Sequence, residues 1–268
     1  MTTDDNAGSV PPEPGQNITE DSFLSGQISV RQPRDGYRIG TDAVMLAASI
    51  SGGQRAVRAL DMGAGVGGVS LAVCQRLSGI HVTAVEQDQA SYELLCHNIA
   101  SNGRTEAIRP YQGDVLSLPS MLSGSFDQVF ANPPFHHGSD APSRSRRRMQ
   151  AHYADDAALA SWVAVALWAV RPKGRVTFIV RADRTDEVMR ALDDGGAGEL
   201  LLHPLWSFRG SPAIRMIITA RAGVKGGMAL LPGLVLHHPG GALTPEARRV
   251  MKGDALPLRH PATAHLQP

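Results

Sequence analysis

Short apolar runs alternate with amphipathic stretches along the middle of the chain, from about residue 56 to residue 192. The short runs, bounded by glycine, asparagine or proline, predict buried strands, and the longer stretches predict helices. Strands are predicted at 56–61, 80–86, 107–111, 126–131 and 175–180, and helices at 67–77, 89–101, 157–170 and 185–192. Repeated strand–helix units of this kind indicate a parallel, doubly wound sheet.

Two more predicted strands, 199–206 and 213–220, follow one another without a helix between them. Parallel neighbours need a long crossover connection, so this pair predicts one antiparallel strand, which we expect at the edge of the sheet. The predicted fold class is therefore α/β, with a doubly wound, seven-stranded, mostly parallel sheet whose last strand is antiparallel.

The pattern predicts one domain, residues 23–258, between two disordered tails. Residues 1–22 are rich in proline, aspartate, asparagine and glycine, and 259–268 form the second tail. Within the domain we expect a hairpin and helix (23–55), a core (56–222) and a C-terminal strap (223–258). The hairpin is predicted from 27–30 and 37–39 around a turn at 33–36, and the helix from 41–50 with Thr41 or Asp42 as its N-cap.

Composition limits the function classes. A formal net charge of +1 excludes a global attraction to nucleic acid, so any basic contact surface must be local. The N-terminus lacks the apolar core of a signal peptide, and the apolar run 157–170 is shorter than the ~20 residues that span a bilayer. The two cysteines lie in predicted helices and favour a reduced compartment. We therefore expect a cytoplasmic protein with no membrane segment.

The predicted strand 126–131 ends at Asn132-Pro133-Pro134-Phe135. Two consecutive prolines lack backbone N–H groups and fix φ, so the chain leaves the sheet rigidly here. The side-chain oxygen of Asn132 and the carbonyl of Pro133 become two fixed acceptors, which suit an amino group with two N–H bonds to donate. Phe135 follows, where it can lie against a ring. Such a motif is also typical of a stiff turn, so its neighbours decide between the two interpretations.

A glycine-rich loop joins the first predicted strand to its helix. Glycines at this position let the backbone approach a ligand at the helix N-terminus. Two templates fit the loop: the G-x-G-x-x-G fingerprint of dinucleotide binding, and the D/E-x-G-x-G-x-G loop of S-adenosylmethionine enzymes. The residues concerned are Asp61, Gly63, Gly65, Gly67 and Gly68. This loop by itself leaves both cofactors open.

Acidic residues follow the next two predicted strands. Glu86 ends the second strand, where one carboxylate can hold two ribose hydroxyls of either cofactor. Asp114, followed by Val115, comes after the third strand, where a carboxylate can accept from an adenine amino group. With Asn132 after the fourth strand, the set favours amine methylation, because hydride transfer does not require an Asn-Pro-Pro-aromatic motif there.

Together these residues resemble the class I, Rossmann-like, S-adenosylmethionine-dependent amino-methyltransferases. Within that class, the lead-in at 37–46 and the stretches 211–215, 243–246 and 255–258 resemble the bacterial tRNA (valine) adenine-N6 methyltransferases. The likeness covers roughly residues 26–258. It implies N6-methylation of a tRNA adenosine beside the valine anticodon, with S-adenosylmethionine as cofactor and tRNA as partner.

The resemblance also implies a role for each motif. The catalytic residues would be Asn132, Pro133, Pro134 and Phe135. Cofactor contacts would come from Thr41, Asp42, Asp61, Gly63, Gly65, Gly67, Glu86, Asp114 and Val115. By topology, the loops after the fourth and sixth strands lie at the rim of the site, and their arginines suit phosphate contacts: Arg144, Arg146, Arg147, Arg148, Arg209 and Arg215. No set of residues with metal-ligand spacing accompanies the histidines of this region, so no metal is expected.

Four alternatives remain open at this point. Asn-Pro-Pro-aromatic motifs also serve glutamine-N5 methylation of release factors and guanine-N2 methylation of ribosomal RNA. The glutamine enzymes usually carry a preceding helical domain and the large guanine enzymes often a duplicated one, and neither is predicted here. An NAD oxidoreductase and a non-catalytic RNA-binding protein are more remote. The oligomeric state is not predicted.

Overall fold

The computed structural model describes residues 18–34, 38–53, 55–134, 159–256 and 258. The strands are β1 (Ile18–Phe23), β2 (Ile28–Pro33), β3 (Val57–Met62), β4 (Ile80–Glu86), β5 (Ile108–Gln112), β6 (Phe126–Ala131), β7 (Val170–Arg181), β8 (Ala197–Phe208), β9 (Ala213–Ala222), β10 (Met228–Leu230) and β11 (Leu234–His237). The helices are α1 (Thr41–Ser49), α2 (Gly68–Arg76), α3 (Gln89–Ser101), α4 (159–169), α5 (Thr185–Asp194) and α6 (Pro245–Met251).

A nine-stranded sheet forms the centre of the molecule, in the order β10-β8-β9-β7-β6-β3-β4-β5 with β11 also on β8. From β5 to β7 every pairing is parallel, as the strand–helix repeats predict. The doubly wound, mostly parallel α/β prediction is therefore confirmed. The strand order reverses between β3 and β6. From β3 the chain builds outward through β4 to β5, and it then returns to place β6 on the other side of β3.

The antiparallel strand β9 lies between β7 and β8 and pairs with both. The expectation that it forms the edge of the sheet is wrong. A short turn from β8 lets β9 fill the space beside β7, which leaves β8 outside it. The edge of β8 is then covered by the parallel strands β10 and β11, which makes nine strands where seven were predicted.

The N-terminal hairpin consists of β1 and β2, with its turn at residues 24–27. The predicted pairing of 27–30 with 37–39 is wrong, since β2 pairs with β1, and residues 35–37 of the predicted hairpin lie outside the described residues. Residues 18–22, predicted to belong to the disordered tail, form most of the strand β1. Leu24 and Ser25 adopt positive φ values of 49° and 59° in this turn. Leu24, Ile28 and Val30 are buried against the body of the protein, which anchors the hairpin despite its polar first strand.

The C-terminal segment forms two short strands and α6. Both strands run parallel to β8. Helix α6 begins after Thr244, whose hydroxyl accepts the Ala247 N–H at 3.1 Å, with Pro245 in its first turn. The Leu256 N–H then donates to the Ala48 carbonyl at 2.8 Å, which ties this segment to α1.

The core lies on both faces of the sheet. One face packs the hairpin and helices α1, α2, α3 and α6, and the other packs α4 and α5. Helix α1 is buried along most of its length because α2 and α6 cover it on two sides. In the described part of the chain, each helix is too short or too polar to cross a membrane.

Candidate active site

The Asn-Pro-Pro motif and the glycine loop leave the sheet side by side. Strands β3 and β6 are parallel neighbours, and their register pairs Met62 with Ala131. The next residues, Gly63 and Asn132, therefore emerge from adjacent strand ends, about 4.8 Å apart in the direction of the strand hydrogen bonds. This is the carboxyl edge, at the point where the strand order reverses and ligands bind in such sheets.

Asn132 and Pro133 follow the last residue of β6, which confirms the predicted strand end. Asn132 is half-buried and its side-chain oxygen is shielded from solvent, whereas Pro133 is buried and Pro134 is exposed. The predicted aromatic partner, Phe135, lies outside the described residues.

The three glycines of the loop serve different purposes. All three have positive φ: 71° at Gly63, 56° at Gly65 and 96° at Gly67. A Cβ at Gly63 would lie 2.7 Å from the Trp162 ring of α4, and one at Gly67 would lie 2.7 Å from Leu95. A Cβ at Gly65 would meet no described atom within 4 Å. Gly63 and Gly67 thus allow close packing, and Gly65 faces open space that a ligand can occupy.

Glu86 is positioned by backbone donors on both of its carboxylate oxygens. One oxygen accepts the Gly65 N–H at 2.8 Å, and the other accepts the Asp88 N–H at 2.8 Å. Each carboxylate oxygen has a second lone pair, so the group can accept two further hydrogen bonds. The open space at Gly65 and this oriented acid fit a ligand with a pair of hydroxyl groups.

Asp61 is buried and supports the glycine loop from below. It is 1% exposed, and its carboxylate accepts the Ser70 hydroxyl at 2.6 Å from the first turns of α2. Burial raises the pKa of Asp61 to about 7; the Ser70 hydrogen bond opposes this shift and the nearby charge of Glu86 adds to it. The side chain therefore fixes β3 against α2 below the glycine loop.

Asp114 follows β5 and is exposed at the same edge of the sheet. One of its oxygens accepts the Leu116 N–H at 2.8 Å, which holds the carboxylate in the loop. Val115 beside it is buried. The Gly113 N–H donates to the Glu86 carbonyl at 3.0 Å, so the loops after β4 and β5 are joined.

Helix α1 begins with Gly40 as its N-cap, and no side chain caps it. The prediction that Thr41 or Asp42 is the N-cap is wrong. The Asp42 carboxylate accepts instead from Nε of Arg215 on β9, at 2.7 Å. Two residues predicted for different ligands, cofactor for Asp42 and RNA for Arg215, are thus in contact with each other.

The predicted RNA-contact residues divide into three groups. Arg209 lies in the turn between β8 and β9 and is exposed at the carboxyl edge. Arg215 is half-buried and forms an ion pair with Asp42. The remaining four lie outside the described residues: Arg144, Arg146, Arg147 and Arg148. Within the described part of the chain there is no cluster of three metal-ligating side chains.

Asn98 is a site-supporting residue that the sequence analysis missed. It is fully buried on α3, and its amide nitrogen donates to the carbonyls of Val66 and Arg31, both at 2.9 Å. Its oxygen accepts the Arg31 N–H at 2.8 Å. One side chain therefore connects the glycine loop to the N-terminal hairpin. The only signal in the sequence is an asparagine among apolar residues of a predicted helix.

This sheet, with a glycine loop after β3, an acid after β4 and Asn-Pro-Pro after β6, is that of a class I, Rossmann-like methyltransferase. The model of the methyltransferase small domain family matches residues 38–184, more than half of the chain. The chain belongs to this family.

Several bacterial relatives carry one common name, tRNA1(Val) (adenine(37)-N6)-methyltransferase. That of Porphyromonas gingivalis is 30% identical over 63% of this chain and 68% of its own length. Those of Flavobacterium psychrophilum and Mannheimia succiniciproducens are each 28% identical, over 50% and 59% of this chain. The chain spans 56% and 64% of the length of these two relatives. The predicted family resemblance is confirmed.

Solved structures share the fold at low identity. A protein described as a predicted O-methyltransferase from Agrobacterium tumefaciens has a TM-score of 0.67 at 24% identity, covering 81% of this chain and 99% of that one. TYW2 of M. jannaschii, solved in complex with AdoMet, has a TM-score of 0.54 at 13% identity, covering 78% and 87%. These likenesses concern the fold alone.

Proposed function

We propose that this protein methylates the N6 amino group of an adenosine in tRNA, using S-adenosylmethionine. The adenosine beside the anticodon of a valine tRNA is the expected target, as the names of the relatives suggest. The observation that carries the chemistry is the register of Met62 with Ala131, which brings the glycine loop beside Asn132.

The described residues fit the cofactor through one open position and one oriented acid. The free space at Gly65 and the backbone N–H groups at the start of α2 suit the methionine part. Glu86 has acceptor capacity for two ribose hydroxyls, and Asp114 for the adenine amino group. When bound, S-adenosylmethionine supplies a methyl group already activated on a sulfonium. Support also comes from TYW2 of M. jannaschii, which has the same fold and was solved with AdoMet.

The two acceptors at the end of β6 make the target amino group a better nucleophile. The lone pair of an adenine N6 is delocalised into the ring, so the amino group is a poor nucleophile. Asn132 and the Pro133 carbonyl each accept one N–H, which reduces the conjugation of the lone pair with the ring and directs the lone pair toward the methyl group. The nitrogen gains positive charge as it is alkylated, and the two oxygens stabilise that charge. Positioning supplies much of the remaining rate, and Phe135 is expected to stack on the base.

A structured tRNA loop must release the target base before it reaches this edge. Unstacking costs a few kcal/mol, which contacts to the rest of the tRNA must offset. Exposed arginines are the expected source, since they neutralise phosphates. Arg209 lies at the carboxyl edge, and the arginines at 144 and 146–148 remain predicted contacts.

The test is Asn132→Ala, compared with Asp193→Ala at an exposed position of α5. Methylation of valine tRNA should fall by at least tenfold in Asn132→Ala, because one of two acceptors is lost. Its S-adenosylmethionine affinity, measured by calorimetry, should stay within twofold of the wild type. Mass spectrometry of the tRNA nucleosides should show N6-methyladenosine with the wild type and with Asp193→Ala.

Other methylation products would assign a different function to the protein. Methylation of a release factor with none of tRNA would assign the protein to the glutamine-N5 enzymes, and methylguanosine in ribosomal RNA to the guanine-N2 enzymes. Calorimetric binding of NAD with no heat from S-adenosylmethionine would contradict the cofactor assignment. Turnover of Asn132→Ala near the wild-type level would reduce Asn132 to a turn residue.

A further inference from the structure

A cavity with three arginines lies at the amino edge of the sheet, opposite the carboxyl edge that holds the candidate active site. Its volume is about 460 Å³, and its basic residues are Arg76, Arg175 and Arg221. We call it the arginine pocket. Glu199 also lines it, and Ile50, Leu201 and Leu256 contribute apolar wall. None of these residues takes part in the methylation chemistry argued above.

The register of the sheet separates the two sites. On β7, Phe178 pairs with Ala131, next to Asn132, whereas Arg175 pairs with Gln128. Arg175 therefore lies three residues, roughly 10 Å, closer to the amino edge of the parallel strands. Arg76 ends α2, whose other end begins at the glycine loop. The arginine pocket is thus a separate site at the amino edge.

Positive charge is in excess in the arginine pocket. Arg175 and Arg221 are direct cross-strand partners on β7 and β9, an arrangement of like charges that destabilises a sheet. Glu199 accepts from Nη1 of Arg221 at 3.0 Å and is the one carboxylate among the described lining residues. Three guanidinium groups therefore share a single carboxylate.

Two further acids do not correct this imbalance, because each has another basic partner. Asp127, which lines an adjoining cavity with Arg175 and Arg221, pairs with Arg171 at 2.7 Å and accepts the Arg58 N–H. Asp254, next to the lining residue Ala255, lies 3.8 Å from Arg249. Burial lowers the pKa of Arg76 and of Arg175, and the neighbouring Arg221 lowers that of Arg175 further. Guanidinium groups nevertheless stay charged at neutral pH. These charges lie in a partly dehydrated environment, where the Coulomb attraction between a guanidinium group and an anion is stronger than in water.

The guanidinium donors are incompletely used within the protein. Arg76 donates from Nη2 to the carbonyls of Ala47 and Ile50 at the end of α1, yet its buried Nε has no acceptor among the described atoms. Arg175 donates from Nη1 to the Ser51 hydroxyl at 2.8 Å. A buried donor without an acceptor is destabilising, and the remaining N–H groups of these guanidinium groups are available to an anion.

We infer that the arginine pocket binds a phosphate-bearing ligand. Planar guanidinium forks match phosphate oxygens better than any other side chain does. The cavity falls within the ~300–1,000 Å³ of small-molecule sites, and its apolar wall suits an organic group attached to the phosphate. The phosphate belongs either to a free small molecule or to the backbone of RNA, and the two sources share this recognition chemistry.

Calorimetry with pyrophosphate tests the inference on the full-length protein, in a chloride buffer without RNA or methyl donor. The wild type should bind one pyrophosphate at millimolar concentration or below. Arg175→Gln and Arg221→Gln should each weaken binding at least tenfold. Arg190→Gln, which removes an exposed arginine of α5 paired with Asp186, should bind like the wild type.

Two results would overturn the inference: no heat with the wild type at millimolar pyrophosphate, or equal affinity in the wild type and in the folded pocket variants. If Arg175→Gln does not fold, Arg175→Lys replaces it, which keeps the charge but loses the fork and should still weaken binding several-fold. Because the assay contains no methylation substrate, its failure is independent of the proposed function.

The two phosphate sources are distinguished by competition. Pyrophosphate that displaces tRNA from the wild type, but less effectively from Arg221→Gln, identifies the RNA backbone as the natural ligand. Pyrophosphate that binds without weakening tRNA binding identifies a free phosphorylated small molecule. Both outcomes support a phosphate site in the arginine pocket.

Discussion

Arg215 on β9 donates from Nε to the carboxylate of Asp42 in the first turn of α1, at 2.7 Å, and both side chains are about one-quarter exposed. The contact joins segments 173 residues apart in the chain. It connects the start of the helix that was predicted to contact cofactor with the strand that was predicted to contact RNA. An arginine at a rim can therefore act by positioning a neighbouring acid instead of by binding phosphate.

The first prediction separates Arg215 from Arg209. Arg209→Gln removes an exposed charge at the carboxyl edge and should lower the slope of log affinity for tRNA against log salt by about 0.7–0.9. Arg215→Gln should leave that slope unchanged, because its charge is neutralised by Asp42. Filter binding at a series of salt concentrations measures both. A reduced slope for Arg215→Gln would show that this arginine contacts phosphate itself.

The second prediction concerns Glu86. Glu86→Ala removes the acceptor of the Gly65 N–H and the two sites proposed for ribose hydroxyls. Hydrogen bonds to a charged group contribute about 1.5–3 kcal/mol, so S-adenosylmethionine affinity should fall at least tenfold. Calorimetry gives the affinity, and Glu93→Ala on the exposed side of α3 is the control. Unchanged affinity would show that Glu86 does not contact S-adenosylmethionine.

The third prediction contrasts two glycines of one loop. Gly63→Ala combines a positive φ with a Cβ 2.7 Å from Trp162 and should destabilise the protein by roughly 2–5 kcal/mol. Gly65→Ala has the strain without the clash and should cost about 1–2 kcal/mol, while sharply reducing cofactor affinity. Urea unfolding measures the stabilities.

Trp162→Leu provides the check on the Gly63 contact. Added to Gly63→Ala, it should restore the part of the stability that the clash removes, so the two substitutions should be non-additive. Additive losses would mean that the strain of the positive φ, and not the tryptophan, accounts for Gly63. Full cofactor affinity in Gly65→Ala would show that the open space beside this glycine is not the ligand position.

The fourth prediction follows from the buried acid beneath the loop. Burial raises the pKa of Asp61 from 3.8 to about 7 in the folded protein. Between these values the unfolded chain has lost the proton and the folded protein has kept it. Stability from this group is therefore fully present below about pH 4 and is lost as the pH rises through 7.

Asp61→Asn should abolish this dependence, since the amide keeps an acceptor for Ser70 and does not titrate. The unfolding free energy of the wild type relative to Asp61→Asn should fall between pH 5 and pH 8 by on the order of 1–4 kcal/mol. Urea titrations at both pH values measure it. A constant difference between the two proteins would mean that Asp61 is ionised throughout this range.

The central elements could be predicted because their local signals agree with their packing. Residues 80–86, 89–101 and 126–131 have the predicted bounds, each with a clear period and a clear stop. The hairpin turn was placed wrongly because 24–27 offers only Ser25 and Gly26 as typical turn residues and Leu24 also adopts positive φ there, whereas 33–36 contains proline, aspartate and glycine. The position of β9 depends on pairing energies between distant strands, which local patterns do not contain.

The candidate site also divides into residues that local sequence patterns could predict and residues that depend on distant contacts. The glycine loop, Glu86, Asp114 and Asn132 stand at strand ends, so topology alone gathers them at one edge. Asn98 and the Asp42–Arg215 pair depend on contacts between remote segments, and their residue types are unremarkable in the sequence. Roles that require a neighbour in space could not be assigned from spacing along the chain.

The hydrogen bonds that hold the N-terminal hairpin have a consequence for the order of events during synthesis. The Arg31 N–H finds its acceptor on Asn98, 67 residues later, and the Ala48 carbonyl waits for Leu256 near the end of the chain. At roughly 5–20 residues per second, the hairpin and α1 leave the ribosome several seconds or more before their partners exist. The hairpin is therefore secured once α3 has been made, whereas α1 is covered by α2 first and gains its second cover only when the C-terminal strap supplies α6 and Leu256.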